Sequence, residues 1–168
     1  MNGVRVPSAV FLAIASVAAA AAPQSHCTKG EETVCTCRIG TKVLSLCAPQ
    51  TDERGTPSWI QYRFGRIGSI EFFYPAAKTS PLGKFRYSTR KGPRWVAATL
   101  EFSNNGFSYL LSADGNSNIP ESSASLLIVS PDGSRRKLEC ADPGLHAAAG
   151  LWRFERYELP EVPSELLK

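Results

Sequence analysis

Five cysteines are the residues of this 168-residue chain whose type and spacing could do chemistry. Cys35, Cys37 and Cys47 fall within the short segment CTCRIGTKVLSLC, while Cys27 and Cys140 lie on either side of it. Such a set could bind zinc, exchange electrons as a dithiol or form structural disulfides. These three kinds of chemistry make different demands on spacing and on the cellular compartment.

The spacing of the cysteines favours disulfides. Zinc sites are usually built from Cys-x2-Cys pairs, whereas consecutive cysteines here are separated by seven, one, nine and ninety-two residues. A redox-active pair would require Cys-x-x-Cys at the start of a helix, and this motif does not occur in the sequence. We therefore expect structural disulfides, with no metal and no other cofactor.

The N-terminal segment predicts the oxidising compartment in which disulfides form. Residues 1–22 combine a short basic start, an apolar run and a small-residue cleavage region at Ala19–Ala22, which are the three parts of a secretory signal. The residues before Cys27 do not form the lipobox of a bacterial lipoprotein. We therefore expect one exported domain over residues 23–168, located in the periplasm or outside the cell.

Charge and hydropathy set weaker limits on function. The formal net charge is +4, and loss of the leader with its single Arg5 and no acidic residue leaves +3. This mildly basic balance identifies no partner by itself. No segment after the leader approaches the roughly 18 to 20 apolar residues that a membrane-spanning helix needs. We therefore expect no membrane span.

Short apolar or alternating runs separated by turn residues predict an all-β fold. Each pair of runs is joined by a short turn, and Asn-Gly or Asp-Gly supplies the positive φ angles that hairpin turns need. The pairs are ETVCTCR with KVLSLC, WIQYRFG with SIEFFYP, WVAATLEF with FSYLLSA, and SLLIVS with SRRKLEC. These pairs give about eight antiparallel strands, with a possible additional strand at KFRYST. We expect a sandwich or a small closed barrel, because long strand edges are rarely left bare.

The C-terminal part of the chain predicts less regular structure. Asp142 as N-cap, Pro143 at the first helical position and Gly150 as a stop indicate a short helix over residues 143–149. The following LWRFERYEL alternates as a strand would, and residues 157–168 are interpreted as a loosely held tail. We therefore expect one short C-terminal helix beside an all-β domain.

Strand alternation assigns side chains to faces. In WIQYRF it separates Trp59, Gln61 and Arg63 from an opposite set that is expected to face the core. That core set is Ile60, Tyr62 and Phe64, and the same logic groups Ile70, Phe72 and Tyr74 on one face of the next strand. Near the end of the last predicted strand, Cys140 is expected to lie inward beside Leu138.

Alternation also limits the disulfide pairing. A three-residue turn at residues 40–42 would place Cys35 opposite Cys47, with Cys37 diagonal to it on the same face, so either could bond to Cys47. We expect Cys140 to be bonded or at least buried, and the remaining thiol of the hairpin and Cys27 are its candidate partners. Since five is an odd number, one thiol is expected to remain or to bridge to another molecule.

Three segments carry a resemblance to a known group of proteins. TCRIGTKVLSLC, WIQYRFGRIGSIEFFYP and SRRKLECADPG, in this order, resemble a family of uncharacterised secreted or periplasmic proteins of Gram-negative bacteria. The resemblance covers most of the chain after the leader and implies a β-rich exported domain, without implying an activity. It also implies Cys37 as the partner of Cys47, whereas the hairpin register favours Cys35. Cys27 and Cys35 are additional to the family pattern.

Cations and aromatic residues coincide in KFRYSTRKGPRW, where Phe85, Tyr87 and Trp95 alternate with five positive charges. Such a segment could bind a polyanion, such as envelope glycan, lipopolysaccharide or extracellular DNA, through charge and stacking. The alternative is a solvated edge strand whose charges prevent aggregation. The candidate contact residues are Trp59, Arg63, Arg66, Lys84, Arg86, Arg90, Lys91, Arg94 and Trp95.

Motifs for catalysis or metal binding are weak. The two histidines, His26 and His146, are not accompanied by a nucleophile elbow or a Cys-His-Asn arrangement, and His26 is expected to be solvated. Asp114, Asn116 and Asn118 have the spacing of a calcium loop, but the glycine and glutamate that complete such a loop are missing. A hairpin loop explains these three residues better.

We therefore expect a non-enzymatic binding or inhibitor module. Its partner would be an envelope polyanion or another exported protein. The alternative is an envelope glycan hydrolase that uses Glu71, Glu101 or Glu139, and this would require two carboxylates to converge in a cleft. The sequence shows no acidic pair at a telling spacing.

Overall fold

The computed structural model describes residues 24–50, 57–116, 119–141 and 150–168. In these ranges the chain forms antiparallel strands followed by two short 3₁₀ helices, Leu151–Arg156 and Ser164–Leu167. The strands are β1 (Glu31–Ile39), β2 (Lys42–Pro49), β3 (Gln61–Arg66), β4 (Ser69–Tyr74), β5 (Arg86–Lys91), β6 (Trp95–Asn104), β7 (Phe107–Asn116), β8 (Ile119–Val129) and β9 (Arg135–Glu139). The predicted all-β class is confirmed, and the additional strand at KFRYST is β5.

The strands form two separate sheets of simple topology. Sheet A has the order β1-β2-β3-β4 and sheet B has the order β5-β6-β7-β8-β9, so every strand pairs with its neighbour in sequence. Of the two architectures expected from the sequence, the structure shows the two-sheet arrangement and no closed barrel. Each sheet therefore has two edge strands and one outer face that other parts of the chain can cover.

The core lies between the inner faces of the two sheets. Aromatic rings meet at its centre, where the ring of Phe102 lies 5.0 Å from Tyr62, 4.6 Å from Tyr74 and 4.8 Å from Tyr109 between centroids. Aliphatic residues that alternate along the strands surround these rings, and the fully buried ones include Leu44, Leu46, Leu100, Leu111 and Leu126. Burial of each such side chain contributes about 1.5 to 3 kcal/mol.

A β-bulge in β4 changes one predicted face. The register pairs Phe64 with Phe72 and Gly65 with Ile70, so Glu71 has no partner in β3. The additional residue reverses the alternation, and Ile70 is 45 % exposed on the outer face while Phe72 packs against the core. A Cβ atom at Gly65 would lie 2.3 Å from a backbone oxygen of β4, so only glycine permits this close approach. The predicted grouping of Ile70 with Phe72 is wrong for this reason.

Two disulfides connect four of the cysteines. Cys27 is bonded to Cys47 with a Cα–Cα distance of 5.4 Å, and Cys37 is bonded to Cys140 with a distance of 5.3 Å. The prediction that Cys140 is bonded or at least buried is confirmed, and the prediction that Cys47 bonds to Cys35 or Cys37 is wrong. Cys35 is in neither disulfide, and its burial raises the pKa of its thiol to about 12.

A one-residue difference in register explains the change in pairing. The β1–β2 turn contains only Gly40 and Thr41, because Ile39 already pairs with Lys42. Cys35 therefore lies opposite Leu46 instead of Cys47. Because successive side chains of a strand point to opposite faces, Cys47 lies on the outer face of sheet A, away from the other hairpin cysteines.

The predicted leader 1–22 and the predicted helix 143–149, with His146, lie outside the described residues. The alternating LWRFERYEL contains a 3₁₀ helix, Leu151–Arg156, instead of a strand. Beyond it, residues 160–168 lie against sheet B, and Val162 is 4 % exposed there. None of the described helices is long and apolar enough to cross a membrane.

Candidate functional site

The nine predicted contact residues belong to two different sheets. Trp59, Arg63 and Arg66 lie in or next to β3 of sheet A, whereas the group from Lys84 to Trp95 lies in and around β5 of sheet B. Residues of β3 and β5 that point outward from their sheets face opposite sides of a sandwich. The structure therefore offers two candidate surfaces instead of one.

Residues 24–31 cover part of the outer face of sheet A, and we call this segment the N-terminal clasp. The disulfide from Cys27 to Cys47 attaches the clasp to β2. The backbone N–H of His26 donates to Ser45 Oγ at 3.0 Å, and its ring Nε2 donates to carbonyl oxygens of β2 and β3 at 3.0 and 3.1 Å. His26 is 8 % exposed, so the expectation of a solvated histidine is wrong.

Arg63 is buried beneath the clasp and bound to Glu31. Its Nη1 and Nη2 donate to the two carboxylate oxygens of Glu31 at 2.6 and 2.9 Å, and Nη1 also donates to the carbonyl oxygen of His26. Its Nε donates to Gln61 Oε1 at 2.9 Å, so all three nitrogens of the guanidinium have partners. Lys78 Nζ completes the site with a 2.7 Å bond to Glu31. Arg63 is one of the predicted contact residues, and it is 5 % exposed.

The environment of Glu31 strongly favours its charged form. The hydrogen bonds from Arg63 are the main cause, and further bonds from Lys78 and from the backbone N–H of Thr28 add to them, while burial acts in the opposite direction. Together they hold the pKa of Glu31 well below its ordinary value of 4.5. The clasp is thus fixed to sheet A by one covalent bond and by one buried, fully hydrogen-bonded ion pair.

A cavity of about 290 Å³ opens on the outer face of sheet A beside the clasp. Its polar side consists of clasp residues, the β3 side chains beneath them and Lys78. Its apolar side consists of Ile70 and Phe73 of β4, which are 45 % and 49 % exposed. The Nζ of Lys78 also lies 4.5 Å from the ring centroid of Trp59, so Trp59 of the predicted set borders this region.

Exposed apolar side chains are concentrated next to this cavity. Among the residues that the structure describes, five large hydrophobic side chains are exposed, and Ile67, Ile70 and Phe73 of the β3–β4 hairpin are three of them. No sequence motif marks these residues, although the glycine of the predicted QYRFG strand was a signal for a bulge. Sequence reasoning therefore missed the most apolar part of the described surface.

The four edge strands are protected to different degrees. The backbone oxygen of Arg38 in β1 accepts a bond from Ala141, the backbone N–H of Tyr87 in β5 donates to Pro160, and four of the five residues of β9 are charged. Each of these features prevents pairing with another strand. β4 instead presents Ile70 and Phe73 at its edge.

The second candidate surface is less aromatic than its sequence suggests. Phe85 and Tyr87 are buried in the core at 1 % and 7 % exposure. Arg86 and Arg90 lie on the outer face of sheet B because they alternate with these aromatic residues along β5. Of the three aromatic residues in the basic segment, only Trp95, at 48 % exposure, could stack on a ligand.

Several of the cations in the basic segment bind acidic groups of the same chain. Arg86 lies 3.4 Å from the carboxylate of Glu101, and Lys91 lies 2.6 Å from that of Glu155. Glu101 is itself 1 % exposed and accepts a second bond from Ser103. The positive charge available to an external polyanion is therefore smaller than the sequence predicts.

Residues 160–168 cover the outer face of sheet B, and we call them the C-terminal strap. The backbone N–H of Tyr87 donates to Pro160 at 2.8 Å, and the backbone N–H of Val162 donates to Ser88 Oγ at 2.9 Å. Farther along, the strap contacts arginines from both edges of the sheet. The segment predicted to be a loosely held tail thus has defined contacts.

The carboxylates of the alternative, hydrolytic function do not converge. Glu71 lies in sheet A and binds Lys42, with 2.5 Å between its Oε2 and the lysine Nζ. Glu101 and Glu139 both lie on sheet B, but β7 and β8 separate their strands, which places them about 14 Å apart or more at the usual strand spacing. Glycosidases need carboxyl groups roughly 5 to 10 Å apart. Glu101 and Glu139 do not meet that requirement, and Glu71 lies in the other sheet with Lys42 as its partner.

Among the described residues, one group of possible metal ligands comes together, and each of its members has another partner. Cys27, Glu31 and Cys47 have ligand atoms within 4.8 Å of one another, but both sulfurs are consumed by the disulfide and the carboxylate binds Arg63. Asp114 of the calcium-like spacing is exposed in β7, and Asn118 lies outside the described residues.

Comparison with protein-family models, with curated proteins and with solved structures finds no match to this chain. The architecture and the site therefore define the class by themselves: a two-sheet antiparallel β protein with two disulfides, whose outer faces are covered by the clasp and the strap. The resemblance to secreted Gram-negative proteins stays a prediction.

Proposed function

We propose that this protein is an exported, non-enzymatic binding module whose partner is another exported protein, bound at the outer face and free edge of sheet A. The observation that carries the proposal is the position of Ile70 and Phe73. Both are about half exposed, both border the 290 Å³ cavity, and both lie on β4, an edge strand with no backbone hydrogen bond to another segment of the described residues. Contiguous exposed apolar side chains around a concavity are typical of protein-binding sites.

The charges around this surface support a protein partner over a polyanion. Arg63 and Lys78 share the carboxylate of Glu31, and Lys42 binds Glu71 at the neighbouring bulge. Since two carboxylates offset two of these three positive charges, we expect binding to depend mainly on burial of apolar area, at about 25 cal/mol per Å² before the costs of association. Of the predicted contact residues, Trp59 and Arg66 would border such an interface.

The two disulfides fit the exported location that the leader predicts, because disulfides persist in oxidising compartments. A stapled domain with an unprotected strand edge also suits a binding role, since strand addition uses backbone groups for affinity and side chains for specificity. The hydrolytic alternative has no observation in its favour.

Site-specific photo-crosslinking in the producing cell tests the proposal. A photoreactive phenylalanine analogue at position 73 is expected to give one discrete crosslinked product, which Ile70→Ser should diminish at least fivefold. The same analogue at position 95 is the matched control, because Trp95 is equally exposed but lies on sheet B. Equal crosslinking at both positions, or none at position 73, would contradict a partner site on sheet A.

A polyanion-binding function makes a different prediction. Binding to an anionic glycan or DNA would weaken steeply between low and physiological salt. Replacement of Arg90, Lys91 and Arg94 together by glutamine would abolish it and leave the melting temperature nearly unchanged. If both the salt dependence and the loss of binding were observed, the binding site would be the basic segment of sheet B instead of sheet A.

A further inference from the structure

The outer face of sheet B contains a groove that the C-terminal strap occupies. Small or apolar side chains of the three central strands form its base, namely Ala97, Thr99, Leu110, Ser112, Ser125 and Leu127. Arg90 of β5 lines one side, and Arg135 and Lys137 of β9 line the other. The groove thus has a smooth base and positively charged sides.

The strap shows how a peptide is held in this groove. Arg135 Nη2 donates to the backbone oxygen of Leu166 at 2.9 Å, and Arg90 Nη1 donates to that of Leu167 at 3.4 Å. The two arginines come from the two edges of the sheet and bind consecutive carbonyl groups. Because they bind backbone atoms, another segment with the same backbone path could make the same contacts.

The strap fills the groove incompletely. A cavity of about 180 Å³ remains between the strap and the sheet. Leu166 and Leu167 are only partly buried, in contrast to the fully buried leucines of the core. The pocket is partly open and is lined by Leu166 and Leu167, so the groove has room for larger side chains at these two positions.

The charges of the strap and the groove are complementary. The strap, residues 160–168, contains two acids, Glu161 and Glu165, against the single base Lys168. Among the side chains of the sheet that line the cavity, three are basic and only Asp114 is acidic. An acidic segment is therefore favoured over a basic one.

From these observations we propose that the groove on sheet B is a docking site for an acidic segment of a partner protein that carries two successive large apolar residues. The C-terminal strap occupies this site in cis and is displaced when the partner segment binds. This inference rests on a surface separate from the sheet A site and does not depend on the function proposed for it.

The cis strap competes with any external segment. A tethered segment has an effective concentration in the millimolar range, so the groove is empty in only a fraction of the molecules. The apparent dissociation constant for a partner is the intrinsic constant divided by that fraction. Weakening the strap should therefore increase the affinity for an external peptide. This is the opposite of what is expected if the strap is only structural.

A fluorescent peptide with the sequence of residues 160–168, PEVPSELLK, is the probe for a binding titration with the full chain. The variant Leu166→Ser/Leu167→Ser is expected to bind this peptide at least tenfold more tightly than the unmodified protein. Addition of Arg90→Gln and Arg135→Gln to that variant should abolish binding. Arg136→Gln is the matched control, because Arg136 is exposed on the opposite face of β9 and should leave binding unchanged.

Hydrogen exchange of the unmodified protein provides a second measurement that needs no destabilising variant. Excess unlabelled peptide should decrease the protection of the backbone amides at 162–167 and leave that of the clasp unchanged. A peptide with both leucines replaced by serine should have no effect. Unchanged strap protection at millimolar peptide, together with no binding by the serine variant, would overturn the proposal.

Two other occupants give distinct results that would also overturn it. If the groove accepts the strap of a second copy, light scattering would show a dimer and the peptide would dissociate it. If the arginines bind a polyanion instead, an anionic polysaccharide would displace the strap in low salt, whereas the peptide PEVPSELLK would not.

Discussion

The clasp and the strap cover the outer faces of two sheets in the same molecule, but they are held in different ways. The clasp is attached by the Cys27–Cys47 disulfide and by the bidentate pair of Glu31 with a buried arginine. The strap has neither a disulfide nor an ion pair within residues 160–168 among the contacts described, and its bonds from Arg90 and Arg135 go to backbone oxygens. The clasp is therefore held permanently on sheet A, whereas the strap can be exchanged for another segment with a similar backbone path.

Because of this difference, a partner would bind in a different way on each sheet. On sheet A, the fixed clasp leaves a cavity beside it and the edge strand β4 next to that cavity, so the partner would bind next to the cover. On sheet B, the partner would bind in place of the cover. We therefore expect the two covers to contribute different amounts to the free energy of unfolding.

The largest expected effect is on the clasp ion pair. Glu31→Gln leaves the guanidinium of Arg63 buried without a counter-charge, and we expect a loss of about 3 to 5 kcal/mol in the free energy of unfolding. Urea unfolding at neutral pH measures this loss. The matched control is Glu71→Gln, which breaks an exposed pair and should leave the unfolding midpoint nearly unchanged. Equal midpoints for the two variants would show that the clasp pair does not stabilise the fold.

The same comparison has a defined pH dependence. Because the pKa of Glu31 is lowered in the folded state, its contribution is fully present above the ordinary value of 4.5 and is lost as the pH falls below it. The stability difference between the unmodified protein and Glu31→Gln should therefore become smaller in acid. A difference that grows below pH 4.5 would contradict the assignment.

The clasp disulfide has the next largest expected effect. Cys27→Ser/Cys47→Ser opens a loop with a sequence separation of 20 residues, and the chain-entropy model gives a loss of about 3 kcal/mol. Thermal unfolding of the variant measures the effect. The sheet A cavity should lose its polar side at the same time, so crosslinking from position 73 should also decrease. Peptide mapping that finds Cys47 bonded to Cys35 would exclude this pairing.

The strap is expected to contribute least. Val162→Ala removes part of its single fully buried side chain and should cost about 1 to 2 kcal/mol. Unfolding in urea measures the cost, and Leu82→Ala is the control because Leu82 is 54 % exposed. A loss above 3 kcal/mol for Val162→Ala would show that the strap is an integral part of the fold, which contradicts its exchange.

The sequence by itself determined the class of the protein and much of its local structure. Period-two alternation and turn residues such as Asn-Gly and Asp-Gly placed the hairpins, because these patterns act between residues that are close in the chain. The same alternation predicted that Tyr62 and Phe64 share a face, and the odd number of cysteines required one that is outside any internal disulfide. Cys140 was correctly expected to be bonded or buried.

Only the tertiary structure decided which side chains meet. A turn one residue shorter than expected moved Cys47 to the outer face, and a single bulge moved Ile70 there as well. Arg63 was taken for a surface cation, since its partner Glu31 is 32 positions away and no local pattern connects the two. Local periodicity specifies strands, but a one-residue change in register reverses every face. Which segment covers each sheet therefore depends on long-range packing that the spacing of residues does not encode.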